Sequence, residues 1–151
     1  MPIFAFSLAK PEMAESLQAL ARRSKQHWGY DAAYMSNWQH DQSLTRAYLE
    51  THLVLVAEAD QQLCGFFALL IEDNEAELEH FWIEPAYIGG GLGKTLFQKL
   101  RDTLKHKGIK HFKVVVEPNA EGFYLKMGGK IVGEITKPGI AHAFPLMQVP
   151  V

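Results

Sequence analysis

The sequence predicts an α/β domain with a mixed sheet, on three observations. Two β-rich apolar runs, Leu53–Ala59 and Leu63–Glu72, are separated by a short polar stretch that begins Asp60-Gln61, a plausible hairpin turn. Next, Leu78–Ile83, a glycine turn, a helical stripe and a strand centred on Val114-Val115-Val116 follow one another. That unit is long enough for a right-handed parallel crossover. Finally, a chain of 151 residues with 48% hydrophobic residues can fill a core without disulfide or metal.

In chain order, Ile3–Ala9 reads as a short strand. From Pro11, a residue suited to a first helical turn, Met13, Leu17, Leu20 and Ala21 fall at helical spacing up to Trp28-Gly29. Asp31 suits the cap of a second short helix, Ala32–Trp38. Thr45–Thr51 is ambiguous, with a third short helix as one reading. The hairpin strands come next, and Asp73-Asn74 turns the chain into Leu78–Ile83, which Pro85 stops. Leu92, Leu96, Phe97, Leu100 and Leu104 then form a helical stripe. Lys105 and Lys107 suit its negative end and Gly108 its C-cap. His111–Glu117 reads as a strand, a short helix follows Asn119, and Lys130–Ile135 and Ala143–Val149 close the order as strands.

The charge count is 15 basic against 17 acidic residues, a net −2, and the charges are scattered. This argues against nucleic acid or an anionic membrane as a main partner. No stretch approaches the roughly 18 apolar residues of a membrane span. Met1-Pro2-Ile3-Phe4 lacks the flank and apolar core of a secretory signal. A lone Cys64 inside an apolar run fits a reducing cytosol and a packing role. The expectation is therefore a single cytoplasmic domain spanning residues 1–151. Its seven histidines form no metal-like cluster, so no metal is expected.

Gly89-Gly90-Gly91-Leu92-Gly93 places four glycines in five residues directly before a helix. Missing side chains let a ligand touch the backbone, and a helix start offers unpaired N–H groups to an anion. Lys94 adds a positive charge at that end. A tight turn without ligand needs fewer glycines. Gly93-Lys94-Thr95 imitates the end of a Walker A loop, but the first glycine of that motif would fall on Ile88. The dinucleotide pattern G-x-G-x-x-G requires glycine at Lys94 or Leu96 and also fails.

The stretch from Leu78 through Glu84-Pro85 to Lys94 resembles the central strand, diphosphate loop and helix of the GCN5-related N-acetyltransferases. That loop runs Arg or Gln, two residues, Gly, one residue, then Gly or Ala. Gly91 and Gly93 match, and Ile88 stands where Arg or Gln is usual. The segment Asn119 to Gly129 resembles the later helix of the superfamily, with Tyr124 ahead of Gly128. Gly129 stands where Phe is common, and Glu117 where an Asn usually precedes the Tyr. The similarity runs from about Leu53 to the C-terminus, and the first half agrees in element order.

The resemblance implies a mixed, mostly antiparallel central sheet flanked by helices, with acetyl-CoA as co-substrate and no metal. It implies transfer of an acetyl group to a primary amine of a small molecule or peptide, and leaves a homodimer open. Residues implied to hold the coenzyme are Phe81, Trp82, Ile83, Gly89, Gly90, Gly91, Leu92, Gly93, Lys94, Asn119 and Phe123. With Ile88 in the loop, the diphosphate would be held by the backbone alone. N–H groups of the Phe81–Ile83 strand would also steady a developing oxyanion.

Tyr124 is implied to be the acid that protonates the leaving thiolate; its alternative is a packed aromatic beside Phe123. Glu79 or His80 would take the proton of the amine, with Glu79 narrowly preferred. Strand alternation would point these two to opposite faces, so only one would face a given cleft. Trp28, Tyr30 and Glu79 are the candidate acceptor contacts, and Tyr34 and Trp38 read equally as core aromatics. A non-catalytic acyl-CoA sensor is the competing reading from another functional class.

Overall fold

The computed structural model describes residues 3–28, 43–117, 120–137, 140 and 142–151. The expected helix Ala32–Trp38, its Asp31 cap, Tyr30, Tyr34, Trp38 and Asn119 lie outside the described residues. The strands are β1 (Ala5–Leu8), β2 (Leu53–Ala59), β3 (Gln62–Glu72), β4 (Glu75–Ile83), β5 (His111–Val115), β6 (Lys130–Ile135) and β7 (Phe144–Pro150). The helices are α1 (Ala14–His27), α2 (Arg46–Thr51), α3 (Leu92–His106) and α4 (Glu121–Lys126).

All seven strands join one sheet in the order β1-β2-β3-β4-β5-β7-β6. Every pairing is antiparallel except β4–β5, which the α3 crossover makes parallel, as the expected strand–helix–strand unit requires. Both hairpin turns in β2–β4 place two consecutive residues at positive φ, 51° and 65° at Asp60-Gln61 and 51° and 62° at Asp73-Asn74. These are the primed turns whose twist suits two-residue hairpins. The ambiguous Thr45–Thr51 segment is helical because the Thr45 hydroxyl accepts from the Tyr48 N–H at 3.1 Å, capping α2.

The sheet separates two apolar layers. On one face Leu96, Phe97, Leu100 and Leu104 of α3 pack on Phe67, Leu69, Phe112 and Met147. On the other, Leu17, Leu20 and Ala21 of α1 and Leu49 of α2 pack on Val54, Val56, Phe66 and Ala68. Val54–Val56 of β2 and Phe66–Leu69 of β3 thus alternate between the layers. Leu100 is fully buried in the first layer, and its truncation to Ala costs about 2–5 kcal/mol.

β4 does not alternate throughout. Ala68 pairs with His80 and Leu69 with Leu78, so Glu79 is an extra residue in a β-bulge. Before the bulge, Ala76 and Leu78 face α3; after it, Phe81 and Ile83 do, while Trp82 joins the α1 layer. The inserted residue reverses the parity of the strand.

Candidate active site

The parallel pairing of β4 with β5 covers only Glu77↔Lys113 and Leu78↔Val114. Beyond these residues the two strands part, and a cavity of about 330 Å³ opens between them. Main-chain groups of β4 from His80 to Ile83 pair with β3 on one side and face the cavity on the other. An extended ligand can therefore lie in the gap as a strand would.

The glycine turn closes one end. Gly89 has φ 86° and Gly91 φ 92°, and no chain atom lies within 4 Å of a Cβ built on either. Backbone conformation, not crowding, is what requires glycine at these positions. Gly91 is the N-cap of the 15-residue α3, which has no acidic residue in its first turn. The first N–H groups of α3 have no partner within the helix and attract an anion. Ile88, Gly89, Gly93 and Lys94 line the cavity. The Leu92 side chain instead packs with Cys64 and Ala57 and does not line the cavity. An ion pair from Arg23 to Glu84, with N–O distances of 2.8 and 2.7 Å, ties α1 to the turn before the loop.

Tyr124, Phe123 and Glu117 form the β5 side of the cavity. Tyr124 is buried against Phe97 and Phe123, with ring centroids 6.5 and 5.2 Å away. Burial, then the Glu117 carboxylate, push its phenol well above the usual tyrosine range and keep it protonated. Glu117 is also 3.4 Å from Lys137 Nζ. Glycine at 129, in place of the common Phe, follows from close packing: a Cβ there would lie 2.8 Å from the Tyr124 carbonyl oxygen and 3.0 Å from Met147 Cε.

Glu79 and His80 both line the cavity, which corrects the expectation of opposite faces. The bulge is the reason, because it turns two consecutive residues toward one side. His80 is 2% exposed, and its Nδ1 accepts from Trp82 Nε1–H at 3.1 Å. A neutral His80 then carries its proton on Nε2, which makes it a donor toward its surroundings rather than a base. Glu79 accepts at Oε1 from the Tyr48 hydroxyl at 2.6 Å and lies 3.2 Å from His52 Nε2. Burial, then that hydrogen bond, hold the Tyr48 phenol far above its ordinary range. Burial and the Glu79 charge raise the neighbouring Glu77 above the usual carboxylate range.

Trp28 and Ser24 of the α1 end complete the lining, with Trp28 45% exposed. Gly90 and Gly91 belong to the turn without lining the cavity. Tyr48 and His52 were missed from the sequence: they lie in a segment with no secondary-structure signal beyond a cap, and their tyrosine–histidine spacing carries no motif. No group of three or more His, Cys, Asp or Glu side chains suited to a metal occurs among the described residues. No helix among them is long and apolar enough to cross a membrane.

A model of the family described as the acetyltransferase (GNAT) domain matches residues 16–143. Spermidine N(1)-acetyltransferase of Thermoplasma acidophilum is 30% identical over 135 residues, covering 78% of this chain and 84% of that protein. A putative ribosomal-protein alanine N-acetyltransferase of Bacillus subtilis is 30% identical over 64% of this chain and 67% of its own length. The crystal structure of PaiA N-acetyltransferase from T. acidophilum in complex with coenzyme A superposes with a TM-score of 0.79 at 25% identity, covering 99% of both chains.

Proposed function

The chain belongs to the GNAT acetyltransferase family and is an acetyl-CoA-dependent N-acetyltransferase, and on that premise we propose that its acceptor is the primary amine of a small cationic molecule. One observation carries the proposal: the cavity has opposite charge at its two ends. Lys94 and the start of α3 lie at one end, and Glu79 lies at the other, four β4 residues before Ile83 and so roughly 13 Å along the strand. An anionic diphosphate and a cationic amine would each find a complementary end. The relative named for spermidine points to the same class of acceptor.

In this reading the diphosphate lies on the Gly89–Lys94 backbone and the pantetheine arm pairs with Phe81–Ile83. Phe123 flanks the arm. The thioester sulfur lies near Tyr124, whose protonated hydroxyl donates to the leaving thiolate. Glu79 takes a proton from the ammonium group, the freed amine attacks the thioester carbonyl, and a β4 N–H steadies the oxyanion. Trp28 bounds the acceptor, and the reaction takes place in the cytoplasm.

Thiol release from acetyl-CoA, measured with spermidine, single amino acids and a peptide with N-terminal alanine, tests the acceptor class. Turnover with spermidine well above the others is expected. Preference for the peptide would overturn the small-molecule assignment. A pH–rate profile that is unchanged in both Glu79→Gln and His80→Gln would remove the base assigned to this end.

A further inference from the structure

Glu79 does not stand alone. Behind it, away from the cavity, the Tyr48 and His52 side chains of the α2 region stack with ring centroids 3.7 Å apart and planes 12° from parallel. Both reach the same carboxylate oxygen, Tyr48 Oη at 2.6 Å and His52 Nε2 at 3.2 Å from Oε1. The other ring nitrogen of His52 lies 3.1 Å from the Tyr48 carbonyl oxygen and 2.9 Å from Thr51 Oγ1. A neutral imidazole with its proton on Nδ1 donates to the carbonyl or hydroxyl oxygen and leaves Nε2 open on the carboxylate side; once Nε2 is protonated as well, it donates to the carboxylate.

We infer that Tyr48, His52 and Glu79 form a proton relay that carries the acceptor's proton from the cavity to His52. The inference rests on Glu79 serving as the base. Before transfer the pair is a neutral imidazole and a carboxylate. The ammonium gives one proton to Glu79, which passes it from Oε1 to His52 Nε2, leaving imidazolium beside carboxylate. The amine lone pair then forms the C–N bond, and the C–S pair departs with sulfur. A second nitrogen proton replaces the one that Tyr124 gives to the thiolate, and the third stays on the amide. His52, whose side chain is 15% exposed, returns its proton to solvent. Tyr48 is a positioning residue: its bond to Oε1 fixes the carboxylate rotamer.

The relay separates two needs that one carboxylate serves poorly. A carboxylate is a weak base toward an ammonium group, whereas an imidazole is a stronger one. Other titratable or charged groups facing this cluster among the described residues are Glu77 and His80 of β4 and, across the strand pairing, Lys113 of β5. Arg46 and Glu50 of α2 and Glu12 of the adjoining Pro11–Met13 turn are exposed.

The test is the pH dependence of kcat/KM for the wild type and His52→Gln with saturating acetyl-CoA and spermidine, or the peptide if that is the better acceptor. His52→Gln retains an N–H that can reach Glu79 but cannot take up a proton. The relay predicts a plateau lowered by about tenfold and an acid limb moved to lower pH, because Glu79 alone now accepts the proton. A lowered plateau with an unmoved limb would show a merely structural role and overturn the relay, as would an unchanged profile. If the wild type turns over neither acceptor, the acceptor reading fails and the imidazole decides the relay by itself. In that case the nitrogen-15 signals of the His52 ring are titrated in the wild type and in Glu79→Gln. A titration moved to lower pH in the variant supports the pair, and superimposable curves overturn it.

Discussion

In the proposed mode of binding, the Gly89–Lys94 end of the cleft offers main-chain N–H groups, whereas the Glu79 end offers one side chain held by two others from a separate segment. The first end depends on two positive-φ glycines and a helix start, all within six residues. The second depends on Glu79 in a bulge of β4 and on Tyr48 and His52 some thirty residues earlier. A backbone site tolerates variation in every side chain that does not disturb its dihedrals. A side-chain site fails on a single substitution but changes specificity as readily. The donor end can therefore be common to a family while the acceptor end differs among its members.

Substitutions at the groups assigned to the proposed reaction should have the largest effect and cross the boundary between the two ends. Tyr124→Phe should lower turnover by about 10²-fold or more, with acetyl-CoA binding measured by calorimetry little changed. Turnover like that of the wild type, with chemistry rate-limiting, would return Tyr124 to a packing role beside Phe97 and Phe123. Glu79→Gln should lower kcat/KM for the amine by a similar factor of about 10² without weakening coenzyme A. A parallel loss of coenzyme affinity would mean that the two ends are not independent.

Gly91→Val acts on the donor end alone. A β-branched residue at φ 92° is strained by roughly 1–3 kcal/mol, and shifting the turn would misdirect the N–H groups of α3. The acetyl-CoA KM should rise by about tenfold or more, the scale of one lost hydrogen bond to a charged group. Steady-state kinetics at saturating amine measures it. Thr45→Ala is milder: it removes the α2 cap and should cost about 1 kcal/mol in denaturant unfolding. Because α2 carries Tyr48, its kinetic effect should appear in the amine KM and not in that of acetyl-CoA.

The smallest expected effect is on the alkaline side of the pH profile. Burial holds the Tyr124 phenol protonated far above its ordinary pKa of about 10, so the acid form persists through that range. Turnover should show no loss that Tyr124→Phe abolishes below about pH 10.

Legibility in the sequence divides along the same line. The donor end is readable because its physics is local: glycines, a helix stripe and a strand lie in one continuous segment, and Leu92–His106 forms as its spacing requires. The hairpins at Asp60-Gln61 and Asp73-Asn74 are readable for the same reason. β4 begins at Glu75, earlier than expected, because the alternation Glu75-Ala76-Glu77-Leu78 is extended by pairing with β3 across a two-residue turn. The shared face of Glu79 and His80 is not readable. It requires knowing that β3 skips one partner between Leu69 and Ala68, a register set by the whole sheet. Nor does α2 announce itself, since six residues around one cap are stable only when Leu49 is buried under α1.

The most direct test of a coenzyme site built from backbone is a titration of the amide N–H resonances with coenzyme A, followed by heteronuclear NMR with ATP and NAD as comparators. Saturable shifts are expected at Gly89–Lys94 and Phe81–Ile83, with smaller ones at Tyr48 and His52, and no comparable response to either nucleotide. Saturable binding that leaves Gly89–Lys94 undisturbed, or an equal response to ATP, would contradict a site of that kind.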